Sequence, residues 1–416
     1  MSNTCLFCQL NRDSVTGNMT SLPLDPRIFS VINFWGISIF CLILGLKYVS
    51  SDTCDNLLQK KSPSFAIVFC FIWIIFLGLR PPHIVFGDTV TYARTYMVTS
   101  SVFGEIDFHK EWLFSLFRTW CKSMGFSVNT FLFLIEAGYI GFMLLSFKKF
   151  LWENTLFAVL FFFSAFSFYV YGVNGIRNGL ACSICLAAFA FVIKDKNYLI
   201  GGVLLFAAFA IHKSTLLPIA ALFVALFVIK KPKLAMFFWL ASIPVSLVAG
   251  GPISNFFMGL GFDDRADAYL SGDNMKYGNF SNTGFRWDFL LYSAMPVWLI
   301  WEAQKKIEKR RAEMGGVCLE EEESKVYGAG ILADAESMKV FNVLSTVYLL
   351  TNSFWVMVAK ASFSNRFAYL SWFMYPLIIA YAVVRLHIWD DQDRKAGWIL
   401  IGHAAFTMFM YLSGKI

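Results

Sequence analysis

The sequence predicts an all-α integral membrane protein with about twelve transmembrane helices and further helices lying at one membrane interface. Three observations carry that prediction. Of the 416 residues, 57% are hydrophobic and 18% aromatic, and only 15% are charged. A soluble domain carries about 25% charged residues to coat its surface. Apolar runs recur along the chain at close to the roughly 18 residues that cross a bilayer. Lysine-rich segments fall at alternate gaps between those runs, as the positive-inside rule requires.

In order, the apolar runs are 28–46, 63–79, 128–146, 154–172, 177–193, 198–212, 214–229, 234–250, 286–301, 340–358, 367–385 and 397–413. Residues 1–27 are polar and lack a short apolar core before a small-residue cleavage site, so no cleavable signal peptide is expected. Lys148 and Lys149, Lys194 and Lys196, Lys230, Lys231 and Lys233, and the run from Lys305 to Arg311 are assigned to the cytoplasm. Alternation then places both termini outside, with Lys60, Lys61, Arg394 and Lys395 inside. The net charge of +7 is spread over these loops and forms no basic stripe, so no nucleic-acid partner is expected.

Three regions interrupt the single polytopic domain. Residues 80–127 form a first large extracytoplasmic segment. Within it Gly87-Asp88-Thr89, Tyr92 and Tyr96 read as one or two helical turns. Glu111 to Met124 reads as an amphipathic interfacial helix, with Trp112, Leu113, Leu116, Phe117 and Trp120 on its apolar side. Residues 251–285 form a second extracytoplasmic loop rich in Gly, Asp and Asn. Residues 302–338 form a charged cytoplasmic loop. Cys182 and Cys185 share CxxC spacing inside an apolar run and read as small core residues. The sequence shows no His/Cys metal cluster and no Gly-rich nucleotide loop, so neither a metal nor a cofactor is expected.

The candidate site residues are ionisable groups wedged between apolar runs, where a charge needs a partner or a wet cavity. Asn174-Gly175-Ile176-Arg177-Asn178 is the first such place. It puts Arg177 near a helix start, where free N–H groups and the helix dipole favour an anion. His212-Lys213-Ser214 is the second, with a titratable member. Ser364-Asn365-Arg366 repeats the first geometry. The expected outer face holds Arg80, Arg94, Arg177, Arg265, Arg286 and Arg366. Arginine suits bidentate contact with phosphate, although these residues can equally pair with outer acids such as Asp88 and Asp107. Asp88 and Glu111 are either general bases for a sugar hydroxyl or interfacial partners of Arg94 and Lys110.

At these positions the chain resembles the EpsG/Wzy-type polysaccharide polymerases. The matching pattern is Asp88 and Tyr92 with Glu111-Trp112, Asn174-x-x-Arg177-x-x-Leu180-Ala181, His212-Lys213-Ser214, and Asn365-Arg366-Phe367, in that order. The resemblance implies a glycosyltransferase of GT-C-like architecture in the bacterial inner membrane, with its active site facing the periplasm. Such an enzyme moves a growing glycan from undecaprenyl diphosphate to a lipid-linked repeat unit, building O-antigen, capsule or exopolysaccharide. Its partners would be the undecaprenyl-diphosphate-linked oligosaccharide donor and acceptor, membrane lipid, and a chain-length regulator protein. Arg177, Lys213, Arg366, Asn174 and Ser214 would hold the diphosphate without a metal. His212, Asp88 and Glu111 would be the catalytic candidates. Tyr92, Arg94, Arg265 and Arg286 are secondary candidates. A flippase for the same lipids would need charge deep along several helices. An O-antigen ligase would use nearly the same chemistry.

Overall fold

The computed structural model describes residues 20–51, 63–103, 106–108, 110–152, 155–259, 285–313, 335–360, 364–386 and 388–415. Every regular element among the described residues is helical, and none is a strand. The chain opens with α1 (Pro26–Val49), which contains a π-helical stretch at Ile32–Gly36, and α2 (Pro63–Gly78). Two short helices follow, α3 (Thr89–Val98) and α4 (Trp112–Ser123). The bundle continues with α5 (Val128–Leu151), α6 (Leu156–Ser164), α7 (Phe166–Val173), α8 (Ile176–Ile193), α9 (Tyr198–Ile211) and α10 (Leu216–Phe227). It closes with α11 (Pro232–Gly259), α12 (Trp287–Glu313), α13 (Ala335–Met357), α14 (Asn365–Trp372), α15 (Tyr375–Val384) and α16 (Gln392–Leu412).

Among the described residues, six helical stretches are long and apolar enough to cross a membrane: α1, α5, α8, the first part of α11, α13, and α14 with α15. The pair α6 and α7 makes a seventh if it is one broken span, bent by 70° at Ala165. The chain is therefore a multi-pass membrane protein in which several apolar helices are shorter than a bilayer. The 14 residues of α9 span roughly 21 Å at 1.5 Å per residue, against a hydrocarbon core of about 30 Å. Two helices extend into regions that sequence reasoning left as loops. α11 reaches Gly259 and α12 reaches Glu313. Arg265 and most of the 251–285 and 302–338 segments lie outside the described residues.

Polar side chains tie the apolar helices together. Asn352 of α13 donates to the hydroxyls of Ser293 (3.1 Å) and Ser371 (2.8 Å), and accepts from the Trp239 indole (2.7 Å). Four helices meet there, which leaves those buried groups paired. His403 of α16 bonds Ser164 (2.8 Å) and Tyr292 (3.2 Å) inside the bundle. Cys182 and Cys185 are buried free thiols.

A buried ion pair underlies one end of the bundle. Arg80 and Glu136 are each 1% exposed and lie 3.2 Å apart. Arg80 also donates to the carbonyls of Leu77 (2.7 Å) and Gly172 (3.0 Å) and to the Thr89 hydroxyl (3.2 Å). One guanidinium thus joins the end of α2, the start of α3, the middle of α5 and the end of α7.

One side of α4 packs on the bundle. α4 buries Phe114, Thr119 and Cys121, while Trp120 is exposed and Trp112, Leu113, Leu116 and Phe117 are only half-buried. Phe114 takes the inward place because it meets the rings of Tyr92 and Phe131.

Candidate functional site

Three separated stretches converge on the Glu111 carboxylate. Glu111 stands at the N-terminus of α4, yet its side chain makes no capping bond to that helix. Instead Oε2 accepts from Arg177 Nη1 and Oε1 accepts from His212 Nδ1. The backbone N–H of Lys213 points at the same oxygen, 3.4 Å away. An ionised carboxylate only accepts, so His212 carries its proton on Nδ1 and presents Nε2 as the other face of the ring. Burial pushes the Glu111 carboxyl up, but His212, Arg177 and the Lys213 N–H together overcome that and hold it at about 2.

Local sequence explains how each group arrives. α7 ends at Val173, Asn174-Gly175 makes the turn, and Arg177 becomes the second residue of α8. A Cβ on Gly179 would lie 2.7 Å from the Tyr171 carbonyl, so only glycine lets the start of α8 pack this closely on the end of α7. α9 stops at Ile211, His212 is extended, and Lys213–Thr215 forms a single 3-10 turn before α10. Arg177 is further fixed by a 3.1 Å bond from Nε to the Tyr92 hydroxyl, with its guanidinium 5.6 Å from the Tyr92 ring and 5.9 Å from the Phe114 ring.

The third predicted place sits beside the second ion pair. Arg366 Nη2 lies 3.8 Å from Asp88 Oδ2. The Asp88 N–H donates to Asn174 Oδ1 at 2.8 Å, and Asn178 Nδ2 donates to the Arg366 carbonyl at 3.4 Å. Tyr171 stacks on Tyr369 and donates to the Asn365 carbonyl at 2.8 Å. Gly87 has φ +60°, and a Cβ there would lie 2.4 Å from Asn174 Oδ1. The Gly87-Asp88 turn and the Asn174 turn therefore interlock.

Asp88, Glu111, Tyr92, Asn174, Arg177, His212, Lys213 and Arg366 thus occupy one linked region, with Ser214 buried in the Lys213 turn. Asp88 meets Arg366, one of the outer arginines open to it, and Glu111 meets Arg177 and His212, while Lys110 pairs with Asp107 at 3.5 Å. Arg94 is exposed on α3. Arg286 lies apart from the cluster, bonded to Asp288 at 2.8 and 2.9 Å.

Sequence reasoning missed two participants. Arg118, on the same helix face as Glu111 two turns on, is held below its usual range by burial and by neighbouring Arg177. Its seven-residue spacing from Glu111 was the available signal. Glu136, a lone acid in an apolar run, was the other.

A cavity of ≈ 580 Å³ opens beside the cluster. Asn174 and Asn365 line it, whereas Arg177, His212 and Arg366 lie outside its wall. Among the described residues no group of three or more His, Cys, Asp or Glu side chains gathers as a metal site would.

The sequence pattern of the EpsG family matches residues 64–414, most of the chain and a span that includes this cluster. The chain belongs to the EpsG family. Nothing among curated proteins and nothing among solved structures matches it. Membership in the EpsG family supports a polysaccharide-polymerase type of function for this multi-pass protein.

Proposed function

We propose that this EpsG-family protein is a glycosyltransferase that polymerises lipid-linked repeat units at the outer face of the bacterial inner membrane. The convergence of Glu111, Arg177 and His212 carries this reading. Glu111 orients His212 as the acid of a triad orients its base, which aims Nε2 at an acceptor sugar hydroxyl. The hydroxyl oxygen attacks the anomeric carbon, its proton passes to His212, and the bond from that carbon to the prenyl diphosphate breaks. The leaving diphosphate gains charge, and fixed cations stabilise it. Arg177 and Arg366, with side chains 25% and 30% exposed, reach solvent from the two ion pairs, and Lys213 and Arg118 add positive charge nearby.

Asp88 and Glu111 act in this scheme as positioning residues, because each is committed to an arginine. The short apolar helices complete about twelve passes in a GT-C-like arrangement, with the arginine-rich end outside. No step needs a metal or a cofactor. The donor and acceptor are undecaprenyl-diphosphate-linked oligosaccharides. The product would be O-antigen, capsule or exopolysaccharide, and a chain-length regulator would dock on the same complex.

The test is the glycan ladder of a strain carrying single substitutions. Arg177→Lys, Arg366→Ala and His212→Ala should insert normally yet leave single repeat units on the surface glycolipid. Arg177→Lys keeps the charge and loses the planar fork, so its failure would mark bidentate contact. Normal ladders in all three strains would remove the diphosphate site. Absence of any repeat unit outside would favour a flippase.

A further inference from the structure

The fold splits two of the sequence motifs. In Asn174-x-x-Arg177 and in Asn365-Arg366 the arginines join Glu111 and Asp88, while the asparagines face the neighbouring cavity. At ≈ 580 Å³ that cavity has the size of a small-molecule site, about 300–1,000 Å³. Its wall mixes two kinds of surface. Tyr171, Trp372 and Tyr411 supply aromatic area, and Asn174, Asn365 and Lys415 supply hydrogen-bonding groups. Tyr169 also lines it.

This combination fits a sugar better than a lipid chain. A pyranose ring has an apolar C–H face that packs on aromatic rings and an equatorial fringe of hydroxyls that donate and accept. An amide offers both a donor and an acceptor to such hydroxyls. A hydrocarbon chain would satisfy the aromatic area alone and would leave the Asn365 amide and the Lys415 ammonium against apolar atoms, which is costly. The cavity and the cluster share the Gly87-Asp88 and Asn174 turns, since Gly87 and Asn174 line the cavity while Asp88 donates to Asn174 and pairs with Arg366.

We propose that this cavity is a glycan subsite, holding sugar residues of a lipid-linked substrate beside the Glu111 cluster that acts on it. The assignment rests on the transferase reading and names where the carbohydrate sits. Binding of sugar alone separates the two. The probe is the repeat-unit oligosaccharide cleaved from the lipid carrier of the protein's own host, added to the full chain in lipid nanodiscs and followed by saturation-transfer NMR. Ile84 lines the cavity and is 72% exposed, and Lys415 lines it near the C-terminus, so a tryptophan at either place fills space without entering the core. The wild type should bind the oligosaccharide. Ile84→Trp and Lys415→Trp should each weaken binding at least fivefold, while Arg177→Lys should change it less than twofold. Unchanged binding in both tryptophan variants, or loss in Arg177→Lys alone, would overturn the subsite. So would binding of a polyprenol probe that both tryptophan variants weaken, with no oligosaccharide bound by the wild type. A failed transferase reading would show instead as normal ladders in the Arg177, Arg366 and His212 variants, whatever the binding result.

Discussion

Glu111 is the residue on which the cluster turns, because it alone faces both Arg177 and His212. Its carboxyl is held at about 2, against 4.5 for an unperturbed group, first against burial and then by His212 and Arg177. A folded value below the unfolded one contributes stability that is full above about 4.5 and is lost as pH falls through about 2. The shift corresponds to something on the order of 3 kcal/mol. Glu111→Gln should therefore lower the melting temperature at pH 7, and the gap to wild type should close between pH 4.5 and 2. The same variant should slow transfer by about a hundredfold or more, because His212 loses the group that fixes its tautomer. Gly87→Ala tests the interlocked turns. The positive-φ backbone there (φ +60°, ψ −122°) costs an alanine roughly 1–3 kcal/mol before the contact with Asn174 is counted. Thermal unfolding in detergent should show a loss of at least that size. At this scale the sequence marked the right residues, since charge between apolar runs is conspicuous. It could not show their partners: Glu111 lies 66 residues from Arg177 and 101 from His212. Nor could it single out which arginine each of the Asp88 and Glu111 carboxylates would meet.

At the scale of elements, Arg80 and Glu136 hold α2, α3, α5 and α7 in register beneath the cluster. Removing one member of a buried pair strands the other, at a cost of about 3–5 kcal/mol. Glu136→Leu should therefore reduce folded protein in the membrane sharply. The double variant Arg80→Met with Glu136→Leu should recover much of it, as measured by monodispersity after extraction. Helix positions were largely legible here. The runs 177–193, 198–212 and 214–229 reappear as α8, α9 and α10, because an apolar run bounded by lysines or a polar turn has few other solutions. The 70° bend between α6 and α7 was not legible, since Ala165 breaks the helix without a proline or glycine to announce it. Which side chains of α4 meet the bundle was not legible either, since Phe114 packs on the rings of Tyr92 and Phe131 from other parts of the chain.

For the whole molecule, the two ends of the bundle differ in chemistry. One end gathers Glu111, Arg177, Asp88, Arg366, Arg286 and Lys415. The lysine-rich end holds the Lys149–Asp195 pair and the Lys233–Glu308 pair at 2.7 Å. Cysteines placed at Lys415 and at Lys233 should report opposite sides: an impermeant maleimide should label the first in intact spheroplasts and the second only after permeabilisation. The segregation of lysines from arginines was legible in the loops, whereas the cavity, built from distant helices, was not. The most direct measurement is transfer by purified protein in liposomes supplied with lipid-linked repeat units extracted from the host. His212→Ala should bind those lipids as wild type does and lengthen them about a hundredfold to ten-thousandfold more slowly, the range expected for loss of a general base. Wild-type elongation by His212→Ala would contradict the account at its centre.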